Sequence, residues 1–366
     1  MGPSGYEELP IPKRPRPLLS RVGRWISGSA GLMITRLGCL PSLPKLRYVV
    51  NSLLYVSWPF IHRSRAKMWK SMHECLGEEL SQTEIRDLVR RTVQNIYFNG
   101  LLTFRLECMS PDDLRELIEV RGREHLDAAL ARGKGVLAIG AHLGPFTLIG
   151  ARLAVDGYPY SVVIRIASDA RLERRMRTLR EKFNVRSYYR GSETRNLLYA
   201  LRRNEIVHLF VDQHTSVGGA VVDFFGLPAP SFTGPAVLSY RLAAPVLPIF
   251  IVPDPQRECH WIMEIGRPYE LPRTGNRDQD VLMATQMFSD TIEDYIRRYP
   301  DQWFWMHRRW LRPTDRPKLV MPHLMDKIPE EVLEALEAQE SGESAEAASG
   351  AVGDERRDEG DHPWPT

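Results

Sequence analysis

Cysteine is scarce in this chain. Only Cys39, Cys75, Cys108 and Cys259 occur in 366 residues, and no two form a C-x-x-C pair. That scatter excludes a zinc-knuckle spacing and suggests no disulfide framework, so free thiols in a reducing compartment are expected. Other signatures are missing too. There is no P-loop, no glycine-rich dinucleotide fingerprint and no G-x-S-x-G elbow, which leaves nucleotide-dependent and serine-hydrolase chemistry without support. The first twenty residues lack the apolar core of a secretory signal. The longest uncharged, mainly apolar run near the N-terminus, residues 48–61, contains Asn51 and Pro59. It falls short of the roughly 18 to 20 residues that a spanning helix needs.

What is present is an ordinary core and an uneven charge. Apolar residues make up 43% of the chain, enough for a large α/β core. Residues 326–366 hold thirteen acidic and three basic side chains, a charge of −10, so the rest carries +13 of the net +3. A basic body suits an anionic membrane surface; solvated arginine faces on helices are the alternative. Two apolar segments, 25–35 and 48–61, are flanked by Lys13, Arg14, Arg16, Arg21, Arg24, Arg36, Lys45 and Arg47. This pattern fits helices lying in a bilayer interface, with packing on the rest of the protein as the alternative. The expected organisation is an irregular N-terminus (1–20), a helical membrane-interface region (21–110), an α/β domain (111–320) and a largely disordered acidic tail (321–366) with a fraying helix near 331–348.

Within the α/β region, strand-like runs at 117–121, 135–141, 160–166, 206–211, 246–252 and 261–265 alternate with helical runs at 125–131, 145–155, 170–183, 194–202 and 234–242. The alternation predicts a mostly parallel central sheet flanked by helices. A closing helix is expected over 281–299, with Met283, Met287, Ile292 and Ile296 inward. Ser81 with Glu84 reads as a capping box, and Ser110-Pro111 as a second helix start. His142 follows the apolar run 135–141 and precedes Pro145, which reads as the first residue of a helix. It therefore stands at the carboxyl end of a strand, where open α/β sheets bind ligands. The positive end of the following helix favours an uncharged imidazole able to act as a base. Taken alone, a strand-end histidine is more often a satisfied structural residue than a catalytic one.

Several segments in order change that balance: GKGVLAIGAHLGPFT (133–147), VVIR (162–165), LFVDQ (209–213), GGAVVDFFG (218–226), TGPA (233–236) and PDQWFWMHRRW (300–310). Together they resemble the lysophospholipid acyltransferases of bacterial lipid A biosynthesis, the late acyltransferase group, over about half the chain. The resemblance implies a glycerolipid acyltransferase-like fold. It also implies a His-based transfer of a fatty acyl chain from an acyl carrier protein or coenzyme A thioester to a hydroxyl of a lipid or glycolipid, at the cytoplasmic face of a bacterial inner membrane, in a peripheral or monotopic protein. No cofactor, metal or nucleic-acid partner is expected. The sequence departs from the family at position 147, where the family's acid would fall and Thr147 stands. Three readings follow: another acid, first of all Asp212, supplies the charge; His142 acts alone and slowly; or the fold persists as a non-catalytic lipid- or acyl-binding protein.

His142 is the candidate base. Asp212 ends a strand and should lie at the same sheet edge if the strands are parallel, with Gln213 as a donor beside it; a cap is the alternative role for Asp212. Backbone N–H groups near Gly144 are candidate oxyanion donors. Thr147 belongs with the substrate-binding set. Arg165 is placed by the resemblance near the oxyanion or an acceptor phosphate, against a solvated strand-end arginine. The resemblance also puts Thr233 and Gly234, an apparent N-cap and helix start, at the acceptor. Phe224 and Phe225 read as core or groove wall. Trp303, Trp305 and Trp310, with Arg308 and Arg309, read equally as headgroup-level residues or as a structural closure, and His307 as packed.

Overall fold

The computed structural model describes residues 36–40, 42–167, 169–189, 194–215 and 219–310. Expectations for residues 1–20, for 25–35 and for the acidic tail lie outside that set. A 3-10 turn (Arg36–Cys39) is followed by three helices: α1 (Leu43–Ser57), α2 (His62–Leu76) and α3 (Gln82–Arg105). Ser42 caps α1 through Lys45 N. Ser81 and Glu84 make the full capping box on α3, each side chain bonded to the other's backbone N–H. The stripe Ile85, Leu88, Val89, Val93 of α3 is buried at helical spacing.

One expectation is corrected here. Cys39 and Cys108 are disulfide-bonded, with Cα atoms 5.8 Å apart across 69 residues, while Cys75 and Cys259 are free thiols. Nothing local encodes that pairing. The end of α3 folds back beside the 3-10 turn, and the Arg105 guanidinium holds the carbonyls of Gly38 (3.0 Å) and Leu40 (2.5 Å).

The remaining elements are α4 (Pro111–Leu117), β1 (Ile118–Arg121), α5 (Arg123–Leu130), β2 (Val136–Gly140), α6 (Leu148–Val155), β3 (Tyr160–Ile164), α7 (Ala170–Lys182), β4 (Arg186–Tyr189), α8 (Thr194–Arg202), β5 (Ile206–Phe210), β6 (Gly219–Phe224), β7 (Leu227–Phe232), α9 (Gly234–Leu242), β8 (Val246–Pro253), β9 (Trp261–Ile265) and α10 (Arg277–Arg298). Seven strands form the sheet β1-β9-β8-β2-β5-β3-β4; every neighbouring pair is parallel except β8 with β9. β2 is buried along its whole length, as expected of a central strand covered on both faces. Two apolar cores, one on each face, hold the helices against the sheet.

Three strands are absent from the sequence expectation. β4 is a four-residue edge strand, Arg-Ser-Tyr-Tyr, with no apolar alternation. β6 and β7 form a separate antiparallel hairpin. β7 contains Pro228 and Pro230, which demote a run to an edge. The hairpin turns at Phe225 and Gly226, both with positive φ (59° and 71°), as a two-residue turn requires; the Phe225 N–H is held by Glu293 (2.6 Å). In α10 the buried stripe runs through Val281, Ala284, Phe288, Ile292 and Ile296. Met283, expected inside, falls between those positions and is exposed.

Candidate active site

Parallel register brings the two central residues together. Gly140 of β2 pairs with Phe210 of β5. His142 and Asp212 each stand two residues further on, so both emerge at the carboxyl edge of neighbouring strands. His142 Nδ1 lies 2.8 Å from Asp212 Oδ1, and the His142 backbone N–H donates to Asp212 Oδ2 (2.9 Å). The Trp303 indole N–H also donates to Oδ2 (2.8 Å). Burial of this fully buried carboxylate would by itself raise its pKa. The charge and hydrogen bonds of His142, helped by His307, outweigh burial and hold it well below the ordinary range. An ionised carboxylate can only accept, so His142 Nδ1 carries a proton, and in the neutral form of the ring Nε2 holds the lone pair.

The loop carrying His142 is fastened from the far end of the chain. Phe304 N donates to the His142 carbonyl (3.1 Å), Gly144 N donates to the Gln302 carbonyl (3.0 Å), and Leu143 bridges Trp303. This clamp displaces the start of α6, which begins at Leu148 instead of Pro145; residues 145–149 turn first through Leu148 N to Pro145 O. Gly144 has φ +60°, and a Cβ there would sit 2.5 Å from the Ile251 carbonyl, so glycine is required for the close crossing. Its N–H is committed to Gln302, which corrects the expectation of an oxyanion donor at that residue.

The ring of His142 is flanked by Phe146 and Phe210, with centroids 4.8 and 5.2 Å away, and by His307 at 4.9 Å. The Gln213 side chain reaches across, its Nε2 lying 3.2 Å from His142 Nε2 and 3.4 Å from His307 Nε2. Burial lowers the His307 pKa to about 4, against the opposing pull of Asp212. Donor atoms of His142, Asp212 and His307 all lie within 4.8 Å of one another, a spacing a metal ion accepts. Both Asp212 oxygens, however, already accept from N–H groups.

His142 opens onto a cavity of about 610 Å³, within the usual range for small-molecule sites. Its walls are mainly apolar, with Phe146, Ala151, Val162, Met176, Leu179 and Leu238 among them. Thr147, Arg165 and Gln213 line it. Thr147 does not face a carboxylate; its hydroxyl shares a 2.7 Å hydrogen bond with that of Thr103 on α3, also in the wall. Arg165 stands exposed at the rim. Thr233 and Gly234 open α9, but neither lines the cavity, and the Thr233 side chain makes no cap bond. The neighbouring Phe232 does line it.

Trp303 and Trp305 are fully buried, which settles their two readings in favour of closure of the core. Arg309 is buried with them, its guanidinium 4.5 Å from the Phe224 ring centroid and bonded to Pro230 O and Ser231 Oγ. Phe224 and Phe225 are core residues, outside the cavity wall. Three participants carry no local sequence signal of their role: Trp303 as a donor to Asp212, Thr103 as the partner of Thr147, and His307 beside the base.

The family model for the bacterial lipid A biosynthesis acyltransferases matches residues 14–312. Phosphatidylinositol mannoside acyltransferase of Mycobacterium tuberculosis is 26% identical over 316 residues, covering 84% of this chain and 95% of that protein. Lipid A biosynthesis palmitoleoyltransferase of Escherichia coli K12 is 23% identical over 75% of this chain and 88% of its own length. The lauroyltransferase of the same organism is 24% identical over 78% and 88%. The parallel sheet, the histidine at its edge and a match over most of the chain agree: this protein belongs to the bacterial lipid A biosynthesis acyltransferase family.

Proposed function

We propose that the protein transfers a fatty acyl chain from an acyl carrier protein or coenzyme A thioester to a hydroxyl of a lipid or glycolipid acceptor, with His142 as general base. The observation that carries this is the His142–Asp212 pair opening onto an apolar cavity. Acyl transfer of this kind needs a base for the hydroxyl proton, donors for the developing oxyanion and an apolar space for the chain. His142 Nε2 takes the proton as the alcohol oxygen attacks the carbonyl. The imidazolium formed is stabilised by Asp212, which also fixes the tautomer. The proton then passes to the departing sulfur. The attack is direct, so no covalent enzyme intermediate is required. Gln213 and Arg165 are the side-chain donors assigned to the reacting groups. The Asp212 contact supplies the charge whose absence at Thr147 motivates a purely binding role, so catalysis is the favoured reading.

The acceptor is membrane-borne, and the protein docks as a peripheral or monotopic protein on the cytoplasmic face of the inner membrane, where thioester donors are available. No described helix is long and apolar enough to cross a membrane. The α1 segment instead exposes Tyr48 (74%), Tyr55 (85%), Val56 (67%) and, just beyond it, Phe60 (81%), with Lys45 and Arg63 exposed alongside. Large apolar side chains beside cations suit a bilayer interface. Replacing Tyr55 and Phe60 together by serine should reduce sedimentation with anionic vesicles and leave the thermal unfolding of the protein unchanged.

Lipid profiling of a deletion strain tests the reaction. One species should appear lighter by a single acyl chain and be restored by the wild-type gene but not by His142→Ala. An unchanged lipid profile would count against the proposal.

A further inference from the structure

The cavity at His142 is bordered by both faces of the sheet. Successive side chains of a strand point to opposite faces. Tyr160, Val162 and Ile164 of β3, with Phe210 of β5, line the cavity from one face; Val163 of β3 and Leu209 of β5 line it from the other. The two apolar cores make the same division. Met176 and Leu179 of α7 share a core with Val162 and Phe210, whereas Leu197 of α8 and Leu238 of α9 share one with Val163 and Leu209. The last residues of β3, β4 and β5 (Ile164, Tyr189 and Phe210) all border the cavity. It therefore folds over the carboxyl edge of the sheet, where His142 stands, with one limb on each face.

The limbs differ. The limb under α6 and α7 follows β3 from Ile164 back to Tyr160, a length of about 13 Å at the usual rise of a strand. Its far end is sealed, because Tyr160 and Leu179 are each 3% exposed. The Tyr160 ring also packs directly on α6: a Cβ on Gly150 would sit 2.5 Å from it. The limb beside α8 and α9 includes Phe232, which is 38% exposed, so this limb reaches the surface.

We propose that the two limbs hold the apolar chains of the two substrates on opposite faces of the sheet. The acyl chain of the thioester fills the closed limb under α6 and α7. A resident chain of the lipid acceptor lies in the open limb beside α8 and α9. This placement rests on acyl transfer by direct attack, which needs both substrates at His142 at once. One closed limb cannot serve two chains in the same complex. A thioester inserts a single chain end-on and leaves its carbonyl at the edge, which suits a sealed limb. A lipid acceptor keeps its head and other chains outside, which suits a limb that opens to the surface. Burial of methylenes in either limb supplies affinity.

The test puts a larger side chain into one limb at a time. Met176 and Leu197 both line the cavity and are half-buried, so tryptophan at either position has the cavity to enter. Wild type, Met176→Trp and Leu197→Trp are each expressed in a deletion strain, and tandem mass spectrometry of the lipids separates the transferred chain from the acceptor's resident chains. In Met176→Trp the share of the longest transferred chain should fall at least about tenfold, with acceptor use as in wild type; a single methylene in an apolar pocket carries discrimination of that order. In Leu197→Trp the transferred chain should match wild type, while the acceptor with the longest resident chain accumulates unacylated, at least about tenfold over wild type. Two neighbouring residues of β3 give a second pair. Ile164→Phe narrows the closed limb and should repeat the Met176→Trp result; Val163→Phe narrows the open limb and should repeat that of Leu197→Trp. This pair carries the test if a tryptophan variant fails to fold. Variants of the two limbs that behave alike overturn the placement, as does unchanged acceptor use in Leu197→Trp and Val163→Phe. A deletion strain whose lipids match wild type would instead remove the acyl-transfer reading, and the placement with it.

Discussion

His142 and Asp212 are 70 residues apart in the chain, yet they occupy equivalent places, two residues beyond the paired ends of β2 and β5, with Nδ1 and Oδ1 2.8 Å apart. In the proposed mechanism, the acid that the resemblance places five residues after the histidine is supplied from the neighbouring strand. Asp212→Asn keeps the shape but offers the ring an N–H in place of an acceptor, which favours the wrong tautomer. Acyl transfer should fall by at least about tenfold. A rate within twofold of wild type, in a variant with unchanged thermal stability, would remove Asp212 from the mechanism.

Thr147→Glu places the family's residue type back at its position. Thr147 is hydrogen-bonded to Thr103 in the cavity wall, and a carboxylate at 147 would compete with Asp212 for His142 inside an apolar space. The expected result is a loss of more than about threefold in kcat/KM, with no gain. A large gain would mean that the Asp212 contact is an inferior substitute.

Arg165 stands at the cavity rim, and no carboxylate among the described residues pairs with it. Assigned to an anionic substrate group, it should raise KM by about tenfold when replaced by alanine, with lysine recovering part of the loss, because a point charge replaces a bidentate fork. Unchanged KM and kcat would return Arg165 to the solvent.

His208 is fully buried in β5, with Nδ1 bonded to the Tyr160 hydroxyl at 2.7 Å, and burial pushes its pKa down from 6.5 to about 3. In the window between those values the unfolded chain binds a proton that the folded protein refuses. This contribution to stability is therefore complete above pH 6.5 and is lost as pH falls toward 3. His307 and Asp212, also depressed, act in the same direction. Thermal unfolding should move to lower temperature on acidification from about pH 7 to about pH 5, and less steeply in His208→Phe, which keeps the stack on Phe210 (centroids 4.6 Å apart) without a titrating group. Equal slopes would show that His208 is not buried neutral.

The Cys39–Cys108 bond ties the 3-10 turn to the end of α3, and the Arg105 contacts to Gly38 and Leu40 hold the same junction without it. Reduction should cost about 2 to 4 kcal/mol of stability and leave transfer activity unchanged, because neither cysteine lines the cavity. Loss of activity on reduction, with the protein still folded, would show that the junction shapes the site.

Why some of this was legible in the sequence follows from the length scale of each signal. Apolar runs bounded by glycine or proline identify β2 and β8 as covered strands, the run 206–211, interrupted only by His208, identifies β5, and parallel pairing then puts His142 and Asp212 on one edge. Capping boxes are equally local, and Ser81 with Glu84 is visible without any tertiary information. The clamp from residues 302–304 is different. Trp303 meets Asp212 across 91 residues, and its tryptophan neighbours read as well for a membrane surface as for a core. The same clamp delays α6 to Leu148, overriding Pro145 as a helix start. Thr103 sits on an amphipathic helix, where its hydroxyl carries no periodic signal, and the Cys39–Cys108 pairing depends on how α3 returns to the N-terminal turn. Local chemistry picked out His142 and Asp212 as a candidate pair; the contacts that hold them arise from tertiary packing.

The most direct test of the central claim is steady-state transfer from an acyl thioester to a lipid acceptor by purified wild type and His142→Ala, matched for thermal stability and vesicle binding. Wild type should yield a lipid heavier by one acyl chain, with the rate falling by at least about a hundredfold in the variant. Equal rates in the two proteins would contradict the account.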